Sequence, residues 1–498
     1  MLQDLLTFYE EYKTKIAAFG FVFGSLEFDL STKAPKDGAA FTAEMLSVFQ
    51  SDYFSYATAP EHIQKIEELQ AATDDEMLKK EIALRLRDLH KISKLPKEVY
   101  VDYEKTISEA QRVWEDAKAA DDYAMFKPHL ISLIEKKKHI LTYYDIEGSD
   151  YNHLVAEYQD GMTVELYDAF FAEVKEKLVP LIHRIKNEGR AIDTSVLMKD
   201  FDIETQIEFT EDLKEALQMN PRKTYLTESV HPFCCFFSNN DVRFTTKYIT
   251  DNVMSSILSV THEYGHALYG LQVDPTFVKT ELADGIGYAM HESQSRLLEN
   301  YVGRNRGFWS RLYPKFQAKF PEQLAHTDLD TFLDMVNVSV PGFIRVEADE
   351  LTYPLHVLIR YEIEKMIFNG EADYDTLDEL WADKYEEYLG IRPATKEEGI
   401  LQDVHWSCGY FGYFPSYALG SAFASQFYSK LEKDMDVDQV LADGQFDKIA
   451  EWLKENIHRY GASKSFNEIL MDVTDEEFNP SYYTDYLVEK YTKLYHLS

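Results

Sequence analysis

Apolar residues recur every three or four positions through most of the first 200 residues of this 498-residue chain. In one segment they are separated by four, four and three positions, with charged residues between them: Leu78, Ile82, Leu86 and Leu89. This spacing places the side chains on one face of an α-helix. The same pattern occurs in the segments 99–118, 126–144, 166–182, 351–368 and 446–460. Because each apolar face must be buried, the pattern predicts packed antiparallel helices joined by short polar turns.

Glycine and proline are scarce. They contribute 21 and 15 residues, below their usual shares of roughly 7% and 5%. Few turn-forming residues in a long chain indicate few turns and long elements, which favours helices. No internal repeat and no low-complexity linker divides the sequence. The chain is therefore expected to be mainly helical and to form one continuous body.

The balance of charge excludes several classes of function. The chain has 51 basic and 87 acidic residues and a formal net charge of −36. A protein this acidic, without a basic tail, would repel nucleic acid and anionic membrane surfaces. Its 45% hydrophobic content is too high for a disordered chain. We therefore expect a folded protein that binds neither nucleic acid nor membrane.

The cysteines and the amino-terminal segment indicate a cytoplasmic protein. Cys234, Cys235 and Cys408 provide no disulfide framework, which favours a reducing compartment. The first residues are acidic where a secretory signal needs basic and then apolar residues. The most apolar window, 16–26, is about eleven residues long, whereas a membrane-spanning helix needs about 20.

One segment, 241–248, has the alternation of a β-strand. Val242, Phe244, Thr246 and Tyr248 fall on one face, and polar residues fall on the other. Helical periodicity resumes after residue 252. The sequence predicts a short strand that leads directly into a helix.

That helix carries the most informative motif of the chain, HEYGH at 262–266. His262 and His266 are four residues apart and share one helical face, so both imidazoles can bind one Zn²⁺. Glu263 lies beside them, where a carboxylate can act as general base towards activated water. The alternative is an exposed helical face of no special function. The apolar residues around the motif argue against this alternative, because they would bury the helix.

A catalytic zinc site usually has three protein ligands and one open position. The downstream carboxylates in range are Glu281, Asp284, Glu292 and Glu299. We prefer Glu292, because serine and arginine neighbours can orient it, and Glu299 is the alternative. Two histidines and a glutamate suit Zn²⁺, although Co²⁺ or Mn²⁺ can substitute.

The sequence resembles the carboxypeptidase Taq family of zinc metallocarboxypeptidases. Five motifs in the family's order carry the resemblance: DVRFT at 241–245, HEYGH at 262–266, HES at 291–293, IRVEAD at 344–349 and GILQDVHW at 399–406. The HES motif supports Glu292 as the third ligand.

The resemblance also implies a fold. It is all-α, mainly helical, with a small β-sheet near the active site, in the two-lobed gluzincin arrangement of neurolysin and angiotensin-converting enzyme with a deep central groove. We expect one catalytic domain over 1–498, with a helical amino-terminal lobe at about 1–200 and a zinc-binding and substrate-binding part at about 205–498. The family is also expected to form a homodimer.

The resemblance assigns further roles near the metal. Glu263 is expected to be the general base, and His405 and Tyr413 to donate hydrogen bonds to the oxyanion, with Tyr410 as the alternative to Tyr413. These residues come from the aromatic run HWSCGYFGYFPSY. Each tyrosine could equally be a core or groove aromatic.

An exopeptidase must recognise the free carboxylate of its substrate, and arginine matches a carboxylate with two parallel hydrogen bonds. The resemblance assigns this role to Arg345. Arg243 is the alternative, and it could instead form a salt bridge with Asp241 or Asp349. His231 is a further candidate for the wall of the site.

These inferences predict a metal-dependent carboxypeptidase that releases single residues from peptides with a free carboxyl terminus. An oligopeptidase or a dipeptidyl carboxypeptidase on the same scaffold is the nearest alternative. A helical scaffold protein with a structural zinc is a more distant one. Structural zinc sites usually contain cysteine, and none of the three cysteines has C-x-x-C spacing.

Overall fold

The computed structural model describes residues 2–144, 148–283 and 286–497. Up to residue 300 the helices are α1 (Leu2–Thr32), α2 (Ala39–Ala57), α3 (Pro60–Ala72), α4 (Glu76–Ser93), α5 (Lys97–Ala119), α6 (Tyr123–Leu141), α7 (Asp150–Tyr158), α8 (Val164–Glu188), α9 (Ile203–Ala216), α10 (Val253–Gln272) and α11 (Tyr288–Arg296). The rest of the chain adds α12 (Arg306–Lys319), α13 (Pro321–Leu324), α14 (Leu329–Val336), α15 (Tyr353–Asn369), α16 (Leu377–Leu389), α17 (Pro415–Asp434), α18 (Val437–Ala442), α19 (Phe446–Asn456), α20 (Phe466–Thr474) and α21 (Ser481–Leu494). The expected all-α fold is confirmed. Each periodic segment falls mainly within one helix.

Three short strands form the small sheet: β1 (Thr224–Glu228), β2 (Cys234–Ser238) and β3 (Asp241–Thr246). The central strand, β3, pairs in parallel with β1 and antiparallel with β2. Val242, Phe244 and Thr246 are buried, as the alternation predicts, but Thr245 on the opposite face is buried as well. The strand ends at Thr246, two residues before the end of the alternating segment, and α10 begins at Val253. The sheet therefore leads into the helix of the HEYGH motif.

The buried apolar residues form two separate clusters. A small core lies among α1, α2, α3 and α4 and contains Tyr9, Tyr12, Ala57, Ile66, Leu69, Ile82, Leu86 and Leu89. A large core contains the buried residues of later elements, beginning with Tyr103 of α5. The small core thus ends near residue 90, while α5 to α8 pack on the large one. The lobe boundary near residue 200 stays a prediction.

Helix α1 connects the small core with the sheet. Tyr9 and Tyr12, near its beginning, belong to the small core. Near its end, Phe28 is buried, and its ring lies 5.7 Å from that of Phe233, the residue before β2. Gly24 faces the ring of Phe237 on β2. One continuous helix therefore contacts both the small core and the sheet.

No helix in the described part of the chain combines the length and apolar character needed to cross a membrane.

Helices α10 and α11 approach each other closely at Gly265, the fourth residue of the HEYGH motif. A Cβ atom at this position would lie 2.5 Å from the carbonyl oxygen of Gln294 and 2.5 Å from the Cα atom of Ser295. These are backbone atoms, so a rotamer change cannot relieve the contact. Glycine at this position therefore sets the distance between the two helices.

Replacing Gly265 by alanine is predicted to destabilise the protein. The methyl group must push α10 and α11 apart, and forced overpacking typically costs about 1–3 kcal/mol. Gly20 of α1 is a matched control, because a Cβ there meets nothing within 4 Å. Gly20→Ala should stabilise the protein by roughly 0.5–1 kcal/mol, since alanine favours a helix. Urea unfolding of the two variants measures both effects, and changes of the same sign would contradict the prediction.

Candidate metal centre

Three donor atoms converge between α10 and α11. His262 and His266 lie one turn apart on α10, and Glu292 lies on α11. Oε2 of Glu292 is 3.7 Å from Nε2 of His262 and 3.6 Å from Nε2 of His266. The ligand atoms of the three residues all lie within 4.8 Å of one another. Among the described residues, this is the cluster that could hold a metal ion.

Each histidine has a partner for its second ring nitrogen. Nδ1 of His262 lies 2.8 Å from Oε2 of Glu299, and Nδ1 of His266 lies 2.6 Å from Nδ1 of His291. A partner of this kind holds the imidazole ring in place and directs the lone pair of the opposite nitrogen. Both Nε2 atoms are therefore available to the space in front of Glu292.

Arg296 links the two carboxylates behind the site. Its Nε donates to Oε1 of Glu292 at 2.7 Å, and its Nη1 donates to Oε2 of Glu299 at 3.1 Å. Burial alone would raise the pKa of Glu299, but Arg296 and His262 overcome it and lower the pKa to about 2. Burial likewise opposes the ionisation of Glu292, yet Arg296 and His262 hold the pKa of this carboxyl below its ordinary value. Both carboxylates are ionised at neutral pH.

Glu299 was the alternative third ligand, and it lies in a π-helical stretch, Leu297–Val302, that follows α11. Its carboxylate faces Nδ1 of His262, the nitrogen that points away from the common centre. Of the other carboxylates in range, Glu281 pairs with Arg85 at 3.0 Å, and Asp284 lies outside the described residues. The structure thus groups Glu292, and not Glu299, with the two histidine Nε2 atoms.

The geometry of the cluster fits a divalent ion. Ligand atoms that bind a tetrahedral Zn²⁺ at about 2.0–2.1 Å lie about 3.4 Å apart. The carboxylate–imidazole separations of 3.6 and 3.7 Å are close to that value and too long for hydrogen bonds. Two imidazoles and one carboxylate are also the donor set of several catalytic zinc sites.

Glu263 lies next to this cluster on the wall of the same cavity. Its side chain is buried, and burial raises its pKa from the ordinary 4.5 to about 7. The negative charge of Glu292 acts in the same direction, whereas His262 opposes it. A carboxyl group with a pKa near neutrality can both accept and release a proton, which is what a general base and acid must do.

The metal cluster opens into a cavity of about 460 Å³. Besides the metal cluster and Glu263, its lining residues are Pro232, Phe233, Cys234, Gly287, Tyr288, His291, Tyr413, Ser416 and Tyr417. The residues therefore come from β2 and the segment before it, from the start of α11 and from the start of α17.

The segment before α17 is held by a buried carboxylate, Glu364 of α15. Its Oε1 accepts a hydrogen bond from Nε1 of Trp406 at 2.7 Å. Its Oε2 accepts from the backbone N–H of Gly412 at 2.8 Å and from the hydroxyl of Tyr151 at 3.0 Å. These bonds hold the aromatic run at Trp406 and at Gly412. The second of these residues directly precedes Tyr413, which lines the cavity.

The expected oxyanion donors lie at different distances from the cavity. Tyr413 lines it, whereas Tyr410 is 50% exposed and outside it. His405 lies behind Tyr417, with 3.3 Å between its Nε2 and the phenolic oxygen. Burial lowers the pKa of His405 to about 3, so the ring is neutral. Burial also raises the pKa of Tyr413 and Tyr417, which therefore stay protonated.

Arg345 is buried behind the cavity wall. Its Nη2 lies 2.9 Å from Oδ1 of Asp403, and its guanidinium carbon lies 4.9 Å from the centre of the Tyr417 ring. Arg360 contacts the other oxygen of Asp403 at 2.6 Å. Two arginines thus share one carboxylate, which leaves an excess of positive charge behind Tyr417.

Arg243 and His231 lie away from the metal cavity. Arg243 forms two hydrogen bonds with Asp241, at 2.9 and 2.7 Å, and lines a separate cavity of about 750 Å³ between α1 and the sheet. His231 is exposed. The two residues that follow it, Pro232 and Phe233, line the metal cavity instead.

Several cavity residues are not among the site residues that the sequence predicts. His291 stands in the HES motif and Tyr417 in the aromatic run, so a local signal existed for both. Phe233, Cys234 and Tyr288 carry no such signal, because only the tertiary fold brings them to the cavity.

Known proteins resemble this chain over almost its whole length. The sequence profile of the Carboxypeptidase Taq (M32) metallopeptidase family matches residues 8–491. Carboxypeptidase 1 of Bacillus subtilis is 40% identical over 495 residues, which cover 99% of this chain and 97% of that protein. Thermostable carboxypeptidase 1 of Pyrococcus furiosus is 34% identical over 488 residues, 96% of each chain.

Solved structures give the same result. The M32 carboxypeptidase of Deinococcus radiodurans superposes with a TM-score of 0.95 at 30% identity, covering 99% of this chain and 100% of that one. The Pyrococcus furiosus carboxypeptidase superposes with a TM-score of 0.94 at 31% identity, covering 98% of each chain. The chain belongs to the carboxypeptidase Taq (M32) family of metallopeptidases and is a metal-dependent carboxypeptidase, a peptide hydrolase.

Proposed function

We propose that this enzyme uses zinc, held by His262, His266 and Glu292, to release single residues from peptides with a free carboxyl terminus. One observation carries the proposal: the two imidazole Nε2 atoms and the Glu292 carboxylate converge on the cavity that Glu263 also lines. When bound, zinc polarises the scissile carbonyl and lowers the pKa of water towards about 7. Co²⁺ or Mn²⁺ can occupy the same donor set.

Glu263 is the proposed general base. It accepts a proton from the attacking water and later delivers it to the leaving amine. A pKa near 7 suits both transfers, because the group can change protonation state at neutral pH. The position of Glu263 beside His262 on the cavity wall supports this role.

The oxyanion that forms during attack needs hydrogen-bond donors, each worth roughly 3–4 kcal/mol in the transition state. We assign this role to Tyr413, with His405 as the second donor. The exposure of Tyr410 outside the cavity favours Tyr413 over it. The Tyr417 hydroxyl lies next to Nε2 of His405. For His405 to stabilise the oxyanion, Tyr417 must either move aside or itself donate the hydrogen bond to the oxyanion.

The substrate carboxylate is assigned to Arg345. The excess positive charge of Arg345 and Arg360 around Asp403 lies directly behind the cavity wall and attracts an anion towards it. Arg243, the alternative, is paired with Asp241 at a different cavity. We further propose that the enzyme is a cytoplasmic homodimer. The resemblance to the family is the basis for the dimer.

Glu263→Gln is predicted to lower kcat by roughly 10²–10⁴-fold, the usual contribution of a general base. The amide cannot accept the proton, but it keeps the size of the side chain. Metal content, measured by atomic emission, should stay at the level of the unaltered enzyme, because Glu263 is not a ligand. A variant with a normal kcat would show that another group is the base.

Removal of the metal with a chelator is predicted to abolish hydrolysis, and Zn²⁺ or Co²⁺ should restore it. Circular dichroism during the same titration tests the scaffold alternative, in which zinc is structural. Unfolding on chelation of a protein that never hydrolysed peptide would favour that alternative over catalysis.

Amidation of the peptide's carboxyl terminus is predicted to remove most turnover, because it removes the charge that Arg345 recognises. Mass spectrometry of the products identifies single residues, dipeptides or internal fragments, and so separates the carboxypeptidase from its two peptidase alternatives. Arg345→Lys should lower kcat/KM for the free peptide, since lysine cannot keep the contacts of the guanidinium with Asp403 and still offer a donor towards the cavity. An unchanged kcat/KM in this variant, with a loss in Arg243→Lys, would move the role to Arg243.

A further inference from the structure

The side chain of Gln159, directly after α7, is fully buried and reaches the segment before α11. Its Nε2 donates to the carbonyl oxygen of Ile286 at 2.8 Å. Its Oε1 accepts from the backbone N–H of Ala289 at 3.1 Å. The proposed mechanism gives Gln159 no role, although both contacts lie within a few residues of the metal cluster.

Helix α11 lacks a cap of its own. The first N–H groups of a helix need acceptors, which usually come from a serine, threonine, aspartate or asparagine at the N-cap. Here the N-cap is Gly287, which has no side chain. Oε1 of Gln159 fills the role for Ala289 from 130 residues away in the sequence.

Glycine at 287 also makes room for this contact. Its φ is +90°, a conformation that other residues rarely adopt. A Cβ atom there would lie 2.7 Å from Oε1 of Gln159. Gly287 therefore provides no side-chain cap for α11, but its lack of a Cβ atom leaves room for Gln159 to act as the cap.

The same end of α7 also supports the aromatic wall of the cavity. The ring of Tyr158 lies 5.7 Å from that of Tyr288 and 5.1 Å from that of Tyr413, both in edge-to-face contact. Tyr288 and Tyr413 line the cavity. Two consecutive residues thus hold the start of α11. Tyr158 packs against the ring of Tyr288, and Gln159 accepts the hydrogen bond from Ala289.

We infer that Gln159 is a positioning residue for the metal centre, acting through the start of α11. Ala289 precedes Glu292 by three residues, less than one helical turn, so the bond that fixes Ala289 also fixes the Glu292 carboxylate relative to His262 and His266. The inference rests on the proposed metal site. It adds that the affinity for the ion depends on a side chain that does not touch it.

Gln159→Met tests the inference, because methionine keeps the length of the side chain and removes both hydrogen bonds. The matched control is Gln426→Met. Gln426 is similarly buried, and it bridges Thr474, Glu477 and Asn479, which do not line the metal cavity. Zinc affinity is measured by competition with a coloured chelator, and stability by urea unfolding of the metal-free proteins.

Both variants should lose stability. Gln159→Met alone should bind zinc about 10-fold more weakly, the lower end of the usual effect of losing an outer partner of a metal ligand, because Gln159 reaches Glu292 only through the backbone of α11. Gln426→Met should stay within about twofold of the unaltered enzyme, because the hydrogen bonds it loses are to residues outside the metal cavity. Equal zinc affinity in Gln159→Met and the unaltered enzyme would overturn the inference alone. If the unaltered enzyme binds no zinc, the proposed metal site and the inference fall together.

Hydrogen exchange on the unaltered enzyme gives a test that needs no variant to fold. Because coupling between two sites is reciprocal, zinc should slow amide exchange at the end of α7 together with the start of α11. Slower exchange confined to peptides that contain His262, His266 or Glu292, with the end of α7 unchanged, would contradict the coupling.

Discussion

The close contact of α10 with α11 is the constraint on which the rest of the site depends. At Gly265 the backbone of one helix meets the backbone of the other with no side chain between them. This approach brings the Glu292 carboxylate within 3.7 Å of both imidazoles. A side chain at this position would push the helices apart and move Glu292 away from both histidines. The glycine of the HEYGH motif is therefore as important for geometry as the two histidines.

The metal site also depends on the charges of three neighbouring glutamates. Glu263 and Glu292 are buried and Glu299 is partly buried beside them, while Arg296 contacts only Glu292 and Glu299, at 2.7 and 3.1 Å. Buried carboxylates are costly unless they are paired. Arg304 adds a second positive charge 3.9 Å from Glu299, so a divalent cation in front of Glu292 would mainly offset the charge of Glu263 when this group is ionised. The site is thus arranged both to bind an ion and to keep its ligands ionised before the ion arrives.

Local patterns predicted much of this structure. Periodicity identified the helices, alternation identified β3, and the spacing of His262 and His266 identified the metal helix. The sequence could not show that Glu299 contacts the outer nitrogen of His262, because a π-helical stretch rotates it there. Nor could it reveal Gln159, Phe233 or Tyr288. Their positions depend on contacts between elements more than a hundred residues apart or on loop geometry, and neither leaves a periodic signal.

The length of α1 connects two distant parts of the molecule. With 31 residues it is a rod about 46 Å long, anchored at one end among Tyr9 and Tyr12 and touching Phe233 of the cavity wall near the other. A tilt of about 5° at the anchored end displaces the far end by about 4 Å, given that length. A displacement of the small core relative to the sheet would therefore reach Phe233, in the wall of the metal cavity, through one continuous helix.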